Sequence, residues 1–129
     1  MINESNPTPV LTAEFESIQD DAAILRFAGE IDLSTVNIIT EQFQVVADQG
    51  LRSVVIDATD VTFMDSTGLH ALVEGKRIVH ETGTSIYLVP SSRMRRVLEL
   101  AFPEPLFAAR LDSVEEALAA LGRPLEAQT

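Results

Sequence analysis

Leu11, Ala13 and Phe15 alternate with Thr12, Glu14 and Glu16, a two-residue period that predicts a strand with one wetted face. Gln19-Asp20-Asp21 reads as a turn, and AAILRFAGEI (22–31) as the second strand of a hairpin. The period then lengthens. In STVNIITEQFQVVADQG (34–50), Val36, Ile39, Phe43, Val46 and Ala47 fall on one helical face, with Ser34 expected to cap the start and Gly50 the end. RSVVIDA (52–58) is a nearly continuous apolar run and predicts a short strand covered on both faces. A second helix is predicted from about Ser66 to His80, with Leu69, Leu72, Val73 and Val79 inward and Gly83 beyond its end. TSIYLV (84–89) predicts another buried strand, after which Ser91 or Ser92 opens a helix carrying Met94, Val97, Leu98 and Ala101.

Pro103 and Pro105 end that helix, and LFAARL (106–111) predicts an edge strand. The last helix is the most legible. Ser113 and Glu116 have capping-box spacing, Val114, Ala117, Leu118 and Leu121 form the stripe, and Gly122 and Pro124 close it. The order β-β-α-β-α-β-α-(β)-α describes one α/β domain, a mixed sheet of four to five strands with about four helices. The expected layout is a loose polar arm over 1–9, the domain over 10–122 and a short tail over 123–129.

Composition narrows the function classes. A chain of 129 residues, 46% hydrophobic, suits one core, and without cysteine it has no thiol nucleophile and no thiolate metal site. The first residues, MINESNPTPVL, lack the basic and apolar segments of a signal peptide, and no run is long enough to span a bilayer, so a cytoplasmic protein is expected. Nine Lys plus Arg against 20 Asp plus Glu leave a net charge of −11. Such a surface repels phosphate backbones and anionic lipid, so neither nucleic acid nor membrane is an expected partner; a locally basic protein surface is.

The chemistry concentrates in FMDSTGLHAL (63–72), where Asp-Ser-Thr-Gly joins an apolar run to a helix. Asp65 and Ser66 are both good helix caps, and capping alone explains either residue. No Glu or Gln completes a capping box from either one, which leaves a second reading open. Ser66 at a helix mouth is placed to accept a phosphate, since free backbone N–H groups and the positive dipole end favour an anion there. Asp65 beside it would make the added charge costly wherever a partner covers the site.

Catalytic readings fit less well. His70 lies one turn beyond Ser66 and Asp65 is adjacent, but Met-Asp-Ser-Thr-Gly is not the Gly-x-Ser-x-Gly of a nucleophile elbow, and no glycine-rich loop offers an oxyanion donor. His70 reads as a solvated helix residue, and His80 as a partner for its helix dipole. Phosphate-loop, dinucleotide and His-Glu-x-x-His signatures do not occur. Asp57 ends a strand as a receiver's acceptor aspartate does, but the paired acids and late lysine of that site are missing, the single lysine being Lys76 in a helix. No cofactor or metal is expected.

Three segments together carry a resemblance: GEID (29–32), VVIDATDVTFMDSTGL (54–69) and SSRMRRVLELA (91–101). They resemble the STAS domain, and within it the bacterial anti-sigma-factor antagonists of sporulation and stress control, in element order from about Val10 to Leu121. The resemblance implies a non-enzymatic regulator of transcription. Unphosphorylated, such a protein binds an anti-sigma factor that is an ATP-dependent serine kinase, and so frees the sigma factor; a serine phosphatase reverses the modification. It places the phosphoacceptor on Ser66, a second hydroxyl on Thr67, and kinase contacts on Asp32, Asp65, Gly68 and Leu69. Gly68 would admit a partner's backbone, while Met64 and Leu69 are read either as apolar contacts or as core. Arg93, Arg95 and Arg96 form the one basic cluster, read as a solvated helix face or as a binding edge. The alternative within the same family is a constitutive scaffold subunit of a stress-signalling or transport-ATPase assembly.

Overall fold

The computed structural model describes residues 11–19, 21–101, 109–110 and 112–121. The polar arm, the Pro103–Pro105 break and the Gly122–Pro124 stop lie outside the described residues.

The first alternating segment forms β1 (Leu11–Gln19), which pairs antiparallel with β2 (Ala22–Ile31), as a hairpin predicts. Leu11, Ala13 and Phe15 turn inward while Thr12, Glu14 and Glu16 are exposed. Helix α1 (Val36–Gln49) follows, then β3 (Ser53–Met64), α2 (Ser66–His80), β4 (Ser85–Pro90), α3 (Ser92–Ala101), β5 (Ala109–Arg110) and α4 (Val114–Ala120). The sheet order is β1-β2-β3-β4-β5, with β2 to β5 parallel, so the sheet is mixed and β5 is an edge strand.

Successive crossovers step in one direction across the sheet. With right-handed connections this lays α1, α2 and α3 on one face. The core there joins Leu25, Phe27 and Ile31 of β2, Val54 and Ile56 of β3, Ile39, Phe43 and Val46 of α1, Leu72 and Val79 of α2, and Met94 and Leu98 of α3. On the other face α4 packs Ala117 and Leu118 against Ile24, Val55 and Val89. Both faces of β3 are covered near its start, as its unbroken apolar run required.

The α1–α2 contact is close because α2 carries Gly75 there. A Cβ at that position would stand 2.2 Å from Cδ2 of Phe43, whose ring is fully buried. Gly50 ends α1 in the left-handed conformation (φ 61°) and donates its N–H to Ala47 O.

Three expectations need correction. Ser34 does not cap α1. The N-cap is Thr35, without a side-chain cap bond, because its hydroxyl donates to Glu30 O at 2.8 Å while Ser34 binds the Asp32 carboxylate. Nor does β3 stop at Ala58. Two bulges absorb extra residues in β3, so Asp60, Val61, Phe63 and Met64 stay paired with β2. Ala101 is exposed at the end of α3, where only Met94 and Leu98 are fully buried. At its start, Ser91 caps that helix, its Oγ accepting the Met94 N–H at 3.2 Å.

Candidate functional site

The long reach of β3 positions the site. Ile31 and Met64 are register partners at the carboxyl ends of β2 and β3, so Asp32 and Asp65 are the first residues to leave two adjacent strands. The Asp65 N–H donates to Ile31 O at 3.3 Å, holding the two exits together. Each chain then turns into a helix, which brings the N-termini of α1 and α2 to the same end of the sheet.

The β2–α1 turn is tied from within. Asp32 Oδ1 accepts the Ser34 N–H at 2.9 Å and its hydroxyl at 2.7 Å, an Asx-type turn. The Asp32 N–H donates to Thr35 Oγ1 at 3.0 Å, and Asp32 O accepts the N–H groups of Thr35 and Val36. The Ser34 hydroxyl bond is the main reason the Asp32 carboxyl titrates below its ordinary value; desolvation opposes it as the next largest influence, and the Ser34 N–H, the Thr35 hydroxyl and the Thr35 N–H lower it further. Between these anchored residues Leu33 points outward, 76% exposed.

In the β3–α2 turn, Asp65 is the N-cap in an extended conformation, and its carboxylate accepts the Gly68 N–H at 3.0 Å. The Asp65 side chain is therefore engaged with its own helix rather than with an imidazole. Ser66 is the first helical residue and is exposed. Thr67 is half-buried and, with Val36 and Thr40 of α1 and His70 and Ala71 of α2, lines a shallow groove between the two helices.

Gly68 and Met64 belong to the interior. Met64 is 4% exposed, which settles its two readings in favour of core packing. A Cβ on Gly68 would stand 2.5 Å from Ile31 Cγ2, 2.8 Å from Ile31 O and 2.9 Å from Met64 Cγ. The missing side chain thus lets α2 sit on the end of β2; it leaves no space for an outside backbone. Leu69 is half-buried against the same core.

Asp32, Asp65, Ser66 and Thr67 therefore come together at one surface, Leu69 borders it, and Met64 and Gly68 support it from beneath. Sequence reasoning missed two apolar residues of this end, Leu33 and Phe63, the latter 40% exposed. Phe63 is the register partner of Glu30, and strand alternation turns both away from the face where Ile31 and Met64 are buried. The basic cluster stands in the first turns of α3, which follows β4: Arg93 and Arg96 are exposed, and Arg95 pairs with Asp112 at 3.0 Å. Among the described residues no cluster of three His, Asp or Glu side chains is placed to hold a metal ion, and no helix is long and apolar enough to cross a membrane.

A five-stranded mixed sheet with three helices on one face, and an exposed serine opening the helix after the third strand, defines an α/β domain of a known type. The STAS domain matches residues 15–117, and the chain belongs to that family. It is similar to an anti-sigma-B factor antagonist of Staphylococcus aureus (strain NCTC 8325 / PS 47), 28% identical over 83 residues, covering 64% of this chain and 77% of the relative. The crystal structure of an anti-sigma factor antagonist from Mycobacterium paratuberculosis superposes with a TM-score of 0.72 at 25% identity, over 87% of this chain and 94% of the other. SpoIIAA, the Bacillus cell fate determinant solved in a phosphorylated form, shares the fold at TM-score 0.63 and 23% identity, over 87% of this chain and all of its own.

Proposed function

We propose that this chain is an anti-sigma factor antagonist, cytoplasmic and without catalysis of its own, whose binding is switched by phosphorylation of Ser66. In the unmodified state it docks on an anti-sigma factor serine kinase and displaces the sigma factor. The kinase uses ATP to modify Ser66 and ends the contact, and a serine phosphatase restores it. The observation that carries this reading is the exposed Ser66 side chain at the first position of α2, directly after a cap already occupied by Asp65. Similarity to anti-sigma factor antagonists supports it.

The energetics favour a switch over a structural role. Asp65 takes the Gly68 N–H and its carbonyl takes the Leu69 N–H, so the amides at the helix mouth left to meet an anion are those of Ser66 and Thr67. Their dipole favours a phosphate by about 0.3–1 kcal/mol at an exposed site. The neighbouring Asp65 opposes a group bearing about −1.5 to −2 charges by a comparable amount in water. Within the free domain the two effects offset, and the fold survives. Under a partner, the dianion must give up water beside a second carboxylate, a loss of several kcal/mol that lowers affinity by orders of magnitude.

The test is to incubate the purified protein with the anti-sigma factor kinase of its source organism and ATP, then map the modified residue by mass spectrometry. Modification confined to Ser66, and absent from Ser66→Ala, is expected. Modification elsewhere with Ser66 untouched overturns the reading.

A further inference from the structure

Among the described residues four large hydrophobic side chains are exposed, and two of them, Leu33 and Phe63, stand at the end of the sheet that carries Ser66. Leu33 is the notable one. It is 76% exposed, yet its backbone is pinned on both sides by the Asp32–Ser34 and Thr35–Glu30 hydrogen bonds. A leucine held outward on a turn of this rigidity loses little backbone freedom on binding, which is the condition under which apolar contact converts into affinity.

The surroundings state what would cover it. No lysine or arginine occurs between Arg26 and Arg52, or between Arg52 and Lys76. The same two stretches supply Glu30, Asp32, Asp60 and Asp65 to the carboxyl ends of β2 and β3. Arg52 itself lies at the opposite end, beside Asp21 and the start of β3. An apolar knob with an acidic rim is complementary to an apolar socket edged by lysine and arginine. A second copy of this chain would oppose acid to acid across a two-fold axis, which disfavours self-association through this patch.

We infer that Leu33 is the apolar anchor of the docking surface, and that the occupant is a protein partner presenting a hydrophobic pocket rimmed by basic side chains. This rests on the function proposed above and adds to it the residue that sets residence time. The acidic rim governs encounter and its salt dependence, while Leu33 governs dissociation.

The experiment uses the full chain against the purified anti-sigma factor of the source organism, with rate constants measured by surface plasmon resonance. Leu33→Ala should raise the dissociation rate roughly 10- to 100-fold, the range for removing a buried leucine side chain, with the association rate little changed. Its melting temperature should stay close to that of the wild type, since Leu33 is 76% exposed in the free domain. Leu33→Met, which preserves bulk, should recover most of the affinity. Wild-type kinetics for Leu33→Ala while Ser66→Glu binds weakly would overturn the anchor and leave the switch standing. Weak binding by Leu33→Ala with full binding by Ser66→Glu would uphold the anchor and count against the switch. A concentration-dependent dimer abolished by Leu33→Ala in sedimentation would overturn the proposal in favour of a second copy.

Discussion

Gly68→Ala probes the joint on which the position of Ser66 depends. In an ordinary helix interior the change would stabilise by about 0.8–1.0 kcal/mol, because alanine gives up less chain entropy than glycine. Here the new methyl meets three atoms inside 3.0 Å, namely Ile31 Cγ2, Ile31 O and Met64 Cγ. Ile31 is fully buried and Met64 nearly so, so neither side chain has solvent to move into. The third atom is a backbone oxygen that already accepts the Asp65 N–H and cannot rotate away. Overpacking of this kind costs about 1–3 kcal/mol, and the backbone contact places it in the upper half of that range. The net expectation is a loss of about 1–2 kcal/mol, or roughly 3–10 °C in melting temperature for a domain of this size. Guanidinium denaturation of both proteins checks it, with the midpoint falling and the slope unchanged. A variant as stable as the wild type, or more stable, would refute the claim that the first turn of α2 is seated directly on the end of β2.

Two further effects follow from the same turns. Asp65→Ala removes the side-chain N-cap of α2 and leaves the Gly68 N–H without its acceptor, which should cost about 1 kcal/mol in urea denaturation, while Asp65→Ser restores most of it. The folded pKa of Asp32 is depressed, so the stability it contributes is complete above the ordinary aspartate value of about 3.9 and is lost as the pH falls through the lower folded value. Asp32→Asn should therefore flatten the stability profile below about pH 4, and an unchanged acid limb would contradict the Ser34 bond as its cause.

How much of this the sequence disclosed depends on what each residue answers to. Helical stripes such as Ile39-Phe43-Val46 and Ala117-Leu118 are local patterns, and they form the core contacts they promised. The full length of β3 was hidden because its second half carries Thr59, Asp60 and Thr62 and is interrupted by bulges; only pairing with β2 keeps it a strand. Ser34 has the residue type of a cap, but its hydroxyl goes to the Asp32 carboxylate and the helix starts after Thr35, whose own hydroxyl is taken by Glu30 O of the preceding strand. The capping box of α4 likewise closes one residue early, with Glu116 accepting the Asp112 N–H rather than that of Ser113. At the site, the Asp-Ser-Thr-Gly pattern located the helix mouth but not the division of labour within it. Asp65 proved to be the cap, which frees Ser66, and Gly68 serves an internal contact with Ile31. Exposure of Leu33 leaves no periodic trace, since a leucine in a turn reads the same whether it points in or out.

Ser66, open to solvent beside a carboxylate that holds its helix, is the point on which the functional account turns. Its most direct test is the affinity of protein stoichiometrically phosphorylated at Ser66 for the anti-sigma factor, measured by titration calorimetry beside the unmodified protein. Binding weakened on the order of 100-fold or more, with melting temperature unaltered, is the predicted result. Equal affinity of the two forms would contradict it.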